Sequence, residues 1–228
     1  METRWHVAQG EADWLRQAVA YVQAAGARAL RERGVFHVVL AGGGTPRKVY
    51  EQLAQEQHDW AHWQVWFGDE RCLPPNDPER NSRMAQEAWL SQVAIPPQNI
   101  HVIPAEWGAA AAAESYGREL GAIGAFDLVL LGIGEDGHTA SLFPGHDWGE
   151  AIDAPDVLAV FDAPKPPPER VSLSARRLSR AEVVLFLVAG AGKREAVKAW
   201  RGGVTLPAAA IRPACGADVL LDAASALP

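Results

Sequence analysis

Phe126-Asp127-Leu128-Val129-Leu130-Leu131 is an apolar run of strand length, and it stops at a glycine-bearing turn, Gly132-Ile133-Gly134-Glu135-Asp136-Gly137-His138. Such a strand and turn fit a parallel α/β sheet, where ligands bind beyond the carboxyl ends of the strands. Asp136 and His138 therefore stand where chemistry is done. An imidazole moves protons near neutral pH, and a carboxylate two residues away can hold its ring or tune its pKa. Glycines on both sides of Asp136 suggest a backbone pressed close to a ligand. The segment points to an enzyme.

The rest of the chain repeats the alternation of strand and helix. Residues 11–33 predict an amphipathic helix, with Trp14, Leu15, Val19, Val22 and Leu30 near helical spacing. Residues 36–41 predict a buried strand, after which Gly42-Gly43-Gly44 turns the chain, Thr45 is the expected N-cap and Pro46 fits the first helical turn. Further strands are expected at 63–67, 100–103, 126–131, 157–161, 171–174, 183–188 and 219–221. Helices are expected through Val49, Tyr50 and Leu53, around 84–90, at 109–122 and at 193–200. The sum is a single α/β domain over residues 1–228, three-layered and Rossmann-like, with a mainly parallel sheet flanked by helices.

A chain of 228 residues can bury a substantial core. Its net charge of −7 argues against non-specific binding to nucleic acid or acidic membranes, yet a few local cations can still hold a small anion. The start, Met1-Glu2-Thr3-Arg4-Trp5-His6, lacks the basic and apolar regions of a secretory signal, and no apolar segment is long enough to span a bilayer; a cytoplasmic location is expected. Cys72 and Cys215 are too few for a disulfide framework or a Cys-based zinc site. Cys72 reads as a space-filling residue beside a strand end. His58 and His62 have the spacing of metal ligands on one helix face but no third partner, so no metal is assigned. The nine tryptophans read as core filling or as clamps over the sheet.

Three more constellations carry chemistry. Gly42-Gly43-Gly44-Thr45-Pro46 lies between a strand and a helix start, where backbone N–H groups and the helix dipole suit a phosphate. It is neither a Walker A loop nor G-x-G-x-x-G, so it gives no evidence for a nucleotide. Gly68-Asp69-Glu70-Arg71 ends another strand: Arg71 can hold a phosphate or a developing oxyanion, and Asp69 substrate hydroxyls or a protonated histidine. Arg170, after a proline run, and Lys193, at a glycine-rich helix start, are two further cations at turns. Singly each reads as a solvated surface charge; together with the glycine loop they can form an anion cradle.

Leu40–Pro46, Phe67–Arg71, Gly132–Gly145, Arg170–Ser174 and Gly192-Lys193 resemble, in order and approximate spacing, the motifs of the 6-phosphogluconolactonases, from about residue 35 to about residue 200. Asp136-Gly137-His138-Thr139-Ala140-Ser141-Leu142-Phe143-Pro144-Gly145 is the most specific block. The resemblance implies a cofactor-independent hydrolase that opens 6-phospho-D-glucono-1,5-lactone to 6-phospho-D-gluconate in the oxidative pentose phosphate pathway. It also implies the fold shared with sugar-phosphate isomerases and aminosugar-phosphate deaminases. The expected partner is the sugar-phosphate lactone, with no nucleic acid and no membrane, acted on by a monomer. In this reading His138 is the general base, Asp136 or Asp69 orients its ring, and Arg71 faces the oxyanion. Gly43, Gly44, Thr45, Arg170 and Lys193 grip the 6-phosphate.

Two positions depart from the family pattern. Gly44 stands where a serine is usual, and Arg80-Asn81 where Ser-Asn is usual. The competing readings are an aminosugar-6-phosphate deaminase or isomerase and a non-catalytic sugar-phosphate sensor. The former resemble this chain in the glycine loop and in Asp-Gly-His, but carry Asp-Glu-Tyr in place of Asp69-Glu70-Arg71 and Phe-Asn-Glu-Pro in place of Ser141-Leu142-Phe143-Pro144. A sensor often adds a DNA-binding module, for which this chain has no spare segment or basic patch.

Overall fold

Helix α1 (Glu11–Arg33) is set by its ends as much as by its apolar stripe, in a structure that is a computed structural model describing residues 2–226. Asp13 accepts the Gln9 N–H at 2.8 Å, and Glu11 and Asp13 place negative charge at the positive helix start. Gly34 closes the helix by donating its N–H to the Leu30 carbonyl at 3.0 Å. Between them Trp14, Ala18, Val22, Ala25 and Ala29 face the core.

The strands are β1 (Arg4–Val7), β2 (Phe36–Leu40), β3 (Trp63–Phe67), β4 (Asp69–Arg71), β5 (Ile100–His101), β6 (Leu128–Leu131), β7 (Val157–Val160), β8 (Arg170–Leu173), β9 (Val184–Val188) and β10 (Asp218–Leu221). The helices after α1 are α2 (Gly44–Leu53), α3 (Asn81–Ala85), α4 (Ala109–Leu120), α5 (Ala175–Ser179), α6 (Arg194–Arg201) and α7 (Pro207–Ala210). Seven strands form a fully parallel sheet in the order β1-β10-β9-β6-β2-β3-β5. From β2 the chain first steps one way to β3 and β5, then returns to the other side at β6 and continues to β9 and β10. The strand order thus reverses between β2 and β6, which opens a crevice at their carboxyl ends. A smaller antiparallel sheet, β4-β8-β7, stands over that crevice.

The mainly parallel sheet flanked by helices agrees with the sequence pattern, and the buried strands β2, β6 and β9 sit within the predicted runs. The differences have physical causes. β1 was not anticipated because it is a four-residue edge strand with no apolar run, paired in register with β10. β4 is made of Asp69, Glu70 and Arg71, which strand propensity disfavours; pairing with β8 overrides that preference. Thr45 is not the N-cap of α2. The helix begins one residue earlier with Gly43 in the cap position, and no side chain caps it, leaving its first N–H groups open. The helix expected around 84–90 is α3 followed by a π-helical turn, Gln86–Leu90. Trp14, Trp60, Trp63, Trp66, Trp89 and Trp200 are buried, whereas Trp107 is exposed. Trp60, Trp63 and Trp89 pack against one another with ring centroids 4.7–5.8 Å apart.

Candidate active site

The crevice is a cleft of about 370 Å³. Its first wall is the carboxyl edge of the main sheet: the turns after β2, β6 and β9 bring Gly43, Gly44, Thr45, His138 and Lys193 to it. Its second wall is the small sheet, with Asp69 and Arg71 from β4, Arg170 from β8, and Phe143 and Lys165 from neighbouring loops. Of the residues singled out from sequence, only Asp136 does not line the cleft; it stands behind His138.

The turn after β6 holds His138 through a small closed network. Thr139 Oγ1 donates to the Gly132 carbonyl at 2.8 Å, and the Gly134 N–H donates to the His138 carbonyl at 2.7 Å. Gly134 has no alternative: a Cβ there would lie 2.0 Å from His138 Nδ1 and 2.5 Å from Asp136 Oδ1. His138 Nδ1 is bonded to Asp136 Oδ1. Burial tends to raise the Asp136 carboxyl, but the hydrogen bond and charge of His138 outweigh it, and the net shift is downward. Asp136 is therefore a carboxylate that fixes the Nδ1–H tautomer and leaves the Nε2 lone pair to accept a proton. Burial pushes His138 below its ordinary value, against the opposing pull of Asp136. The ring lies 4.9 Å from that of Phe143, centroid to centroid.

The glycine loop is anchored from behind. Tyr50, buried in α2, donates its hydroxyl to the Ala41 carbonyl at 2.8 Å and accepts the Ala41 N–H at 2.9 Å. Gly42 is needed for another reason: a Cβ would lie 1.9 Å from Asn81 Oδ1. Asn81 Nδ2 in turn donates to Asp69 Oδ1 at 2.9 Å, while Ser141 Oγ donates to Asp69 Oδ2 at 2.6 Å. Both oxygens of Asp69 are thus held, one from α3 and one from the chain that follows His138. The two walls meet at this carboxylate.

The small-sheet wall is built from buried charge. Glu70 Oε1 accepts the N–H groups of Arg71 at 2.9 Å and Asn81 at 2.7 Å, and Oε2 accepts that of Ser82 at 2.8 Å. Arg80, fully buried, lies 3.3 Å from Glu70, donates to Glu106 at 2.7 Å and caps the Ile103 carbonyl at 2.8 Å. Arg71 reaches the cleft while its Nη1 donates to the Glu79 carbonyl. Arg170 spends three hydrogen bonds on the carbonyls of Lys165, Pro166 and Pro167 and lies 5.5 Å over the Phe143 ring. Burial lowers its pKa, against the pull of Asp69.

A family model described as glucosamine-6-phosphate isomerases/6-phosphogluconolactonase matches residues 9–220. The chain belongs to this family. Among its relatives is the 6-phosphogluconolactonase of Synechocystis sp., 42% identical over 183 residues, a match covering 75% of this chain and 73% of that protein. The GDH/6PGL endoplasmic bifunctional protein of Homo sapiens is 42% identical over 185 residues, which is 76% of this chain but only 23% of that much longer protein. The crystal structure of 6-phosphogluconolactonase from Thermotoga maritima superposes with a TM-score of 0.89 at 30% identity, covering 97% of this chain and 100% of that one.

Within the family frame, some residues at the site carry no sequence signal of their own. Asn81 and Ser141 stand in the quoted motifs without a role, yet they hold Asp69. Lys165 was visible only as part of a stiff proline loop. The departure at Arg80 puts an arginine into the interior, where it bridges Glu70 and Glu106. His62 pairs with Asp59 at 2.8 Å and His58 lies against Trp60 and Trp63. Among the described residues, no group of three or more His, Cys, Asp or Glu side chains is arranged to hold a metal ion.

Proposed function

We propose that this chain hydrolyses 6-phospho-D-glucono-1,5-lactone to 6-phospho-D-gluconate, the lactonase step of the oxidative pentose phosphate pathway. The observation that carries the reading is His138, with Nδ1 fixed by Asp136 and Nε2 free of protein partners among the described residues, facing a cleft rich in cations. Nε2 takes a proton from water as the water oxygen attacks C1. The carbonyl oxygen becomes a tetrahedral oxyanion, which Arg71 faces. As the C1–ring oxygen bond breaks, the imidazolium returns its proton to the ring oxygen, and the new acid loses a proton to water. Asp136 orients the ring; Asp69, immobilised by Asn81 and Ser141, is placed for substrate hydroxyls.

The open N–H groups at the start of α2, with Gly43, Gly44, Thr45, Arg170 and Lys193, receive the 6-phosphate. Binding energy far from the reacting bond then positions the lactone. Because one chain supplies both walls, a monomer suffices for activity. The free thiols of Cys72 and Cys215 suit a reducing compartment such as the cytoplasm. Purified protein treated with chelator should accelerate hydrolysis of freshly generated 6-phosphogluconolactone, read by a coupled assay for 6-phosphogluconate. Activity that vanished with chelator and returned with zinc or magnesium would refute the metal-free route.

A further inference from the structure

Resting on the lactonase reading, we propose that Lys165 contacts the substrate at C1, where its ammonium receives the negative charge of the tetrahedral oxyanion and then of the product carboxylate. Lys165 belongs to the Pro164-Lys165-Pro166-Pro167-Pro168 loop that precedes β8, and it lines the cleft together with His138, Phe143 and Arg170. A surface lysine ordinarily swings freely in water. Here the backbone is restrained on both sides. Four prolines fix φ around it, and the Ala163 N–H closes the loop on the Pro168 carbonyl at 3.0 Å. Arg170 Nη2 holds the carbonyls of Lys165 and Pro166 at 2.9 and 3.0 Å, and Nε holds that of Pro167 at 3.1 Å. The guanidinium thus acts as a strap that keeps the ammonium at the cleft.

The charges around His138 locate it further. Asp136 on its own turn and Asp69 on β4 favour the imidazolium, while Lys165 disfavours it. Arg71, Arg170 and Lys193 line the same cleft, yet Lys165 is the cation whose field depresses His138 most. A cation so placed keeps the imidazole neutral before attack, favours oxyanion growth at C1, and speeds return of the proton to the leaving ring oxygen. A phosphate-gripping cation has no reason to act on the base.

Lys165→Met removes the charge but leaves the carbonyl that Arg170 holds. Its kcat/KM should fall about ten- to a hundredfold on 6-phosphogluconolactone and on unphosphorylated gluconolactone alike. The His138 titration, followed by NMR in the ligand-free protein, should move upward. Lys165→Arg should restore the titration and most of the turnover. A loss confined to the phosphorylated lactone would overturn the assignment and place Lys165 on the phosphate; unchanged turnover and titration would make it a solvated charge. Should the wild-type protein fail to hydrolyse the lactone, the lactonase reading falls. The His138 titration in Lys165→Met would still report whether the ammonium sits over that imidazole.

Discussion

The two walls of the cleft are built by opposite means. The main-sheet wall is apolar behind and glycine-rich in front: β2, β6 and β9 are buried, and the turns beyond them are shaped by hydrophobic strands and by close backbone approach. The small-sheet wall has charge where the other has hydrocarbon, with Glu70 and Arg80 both buried and paired. An apolar framework fixes positions through packing that tolerates modest exchange of side chains. A framework of buried charge fixes them through hydrogen bonds that fail together when one partner is removed. Substitutions on the first wall should therefore damage chemistry without damaging the fold, and those on the second should damage both.

His138→Asn is the sharpest break in this contrast. It should lower kcat roughly 10²–10⁴-fold while the thermal unfolding midpoint stays near that of the parent, because the ring sits on a turn rather than in the core. The wild-type kcat/KM should rise with pH as His138 loses its proton. Since burial lowers that pKa, the half-rise should fall below the ordinary histidine value of about 6.5. Near-normal kcat in a folded variant, or a half-rise well above that value, would pass the base role elsewhere.

Glu70→Gln probes the other wall. It replaces a carboxylate that accepts three backbone N–H groups and faces Arg80, so stability should drop by about 3–5 kcal/mol in denaturant titration. Turnover should fall with it, because Asn81 and through it Asp69 lose their anchor. Unchanged stability would mean that the buried charges are dispensable and the contrast between the walls is false.

The smallest effect separates two cations on opposite walls. Lys193→Ala should cost about ten- to a hundredfold in kcat/KM on the phosphorylated lactone and little on the unphosphorylated one. Arg170→Ala should weaken both, since it releases the loop carbonyls as well as a cleft cation. Identical substrate patterns for the two variants would erase the distinction.

The same contrast explains what was legible in the sequence. Runs such as Leu128–Leu131 and Val184–Val188 announce buried parallel strands, and the glycine turns beyond them mark His138 and the α2 start, because hydrophobic period and glycine are local signals. β4 was read as the end of a strand, since three charged residues have no strand signature until β8 supplies their partners. Asn81 and Ser141 approach Asp69 across 12 and 72 residues of chain, and no spacing rule reports such meetings. Thr45 looked like a cap because its chemistry allows it; the helix started earlier on glycine and left the hydroxyl unused for that purpose.

The space denied to a side chain at Gly134 bears on how mutational tolerance maps of this protein should be read. A methyl group there collides with both members of the Asp136–His138 pair before it meets any part of the core. In a saturation library selected for turnover, position 134 will score as intolerant as position 138, although it lends no atom to the reaction. Counting intolerant positions on this turn therefore overstates the number of reacting groups, and only a separate stability readout sorts the residues that act from the one that makes room.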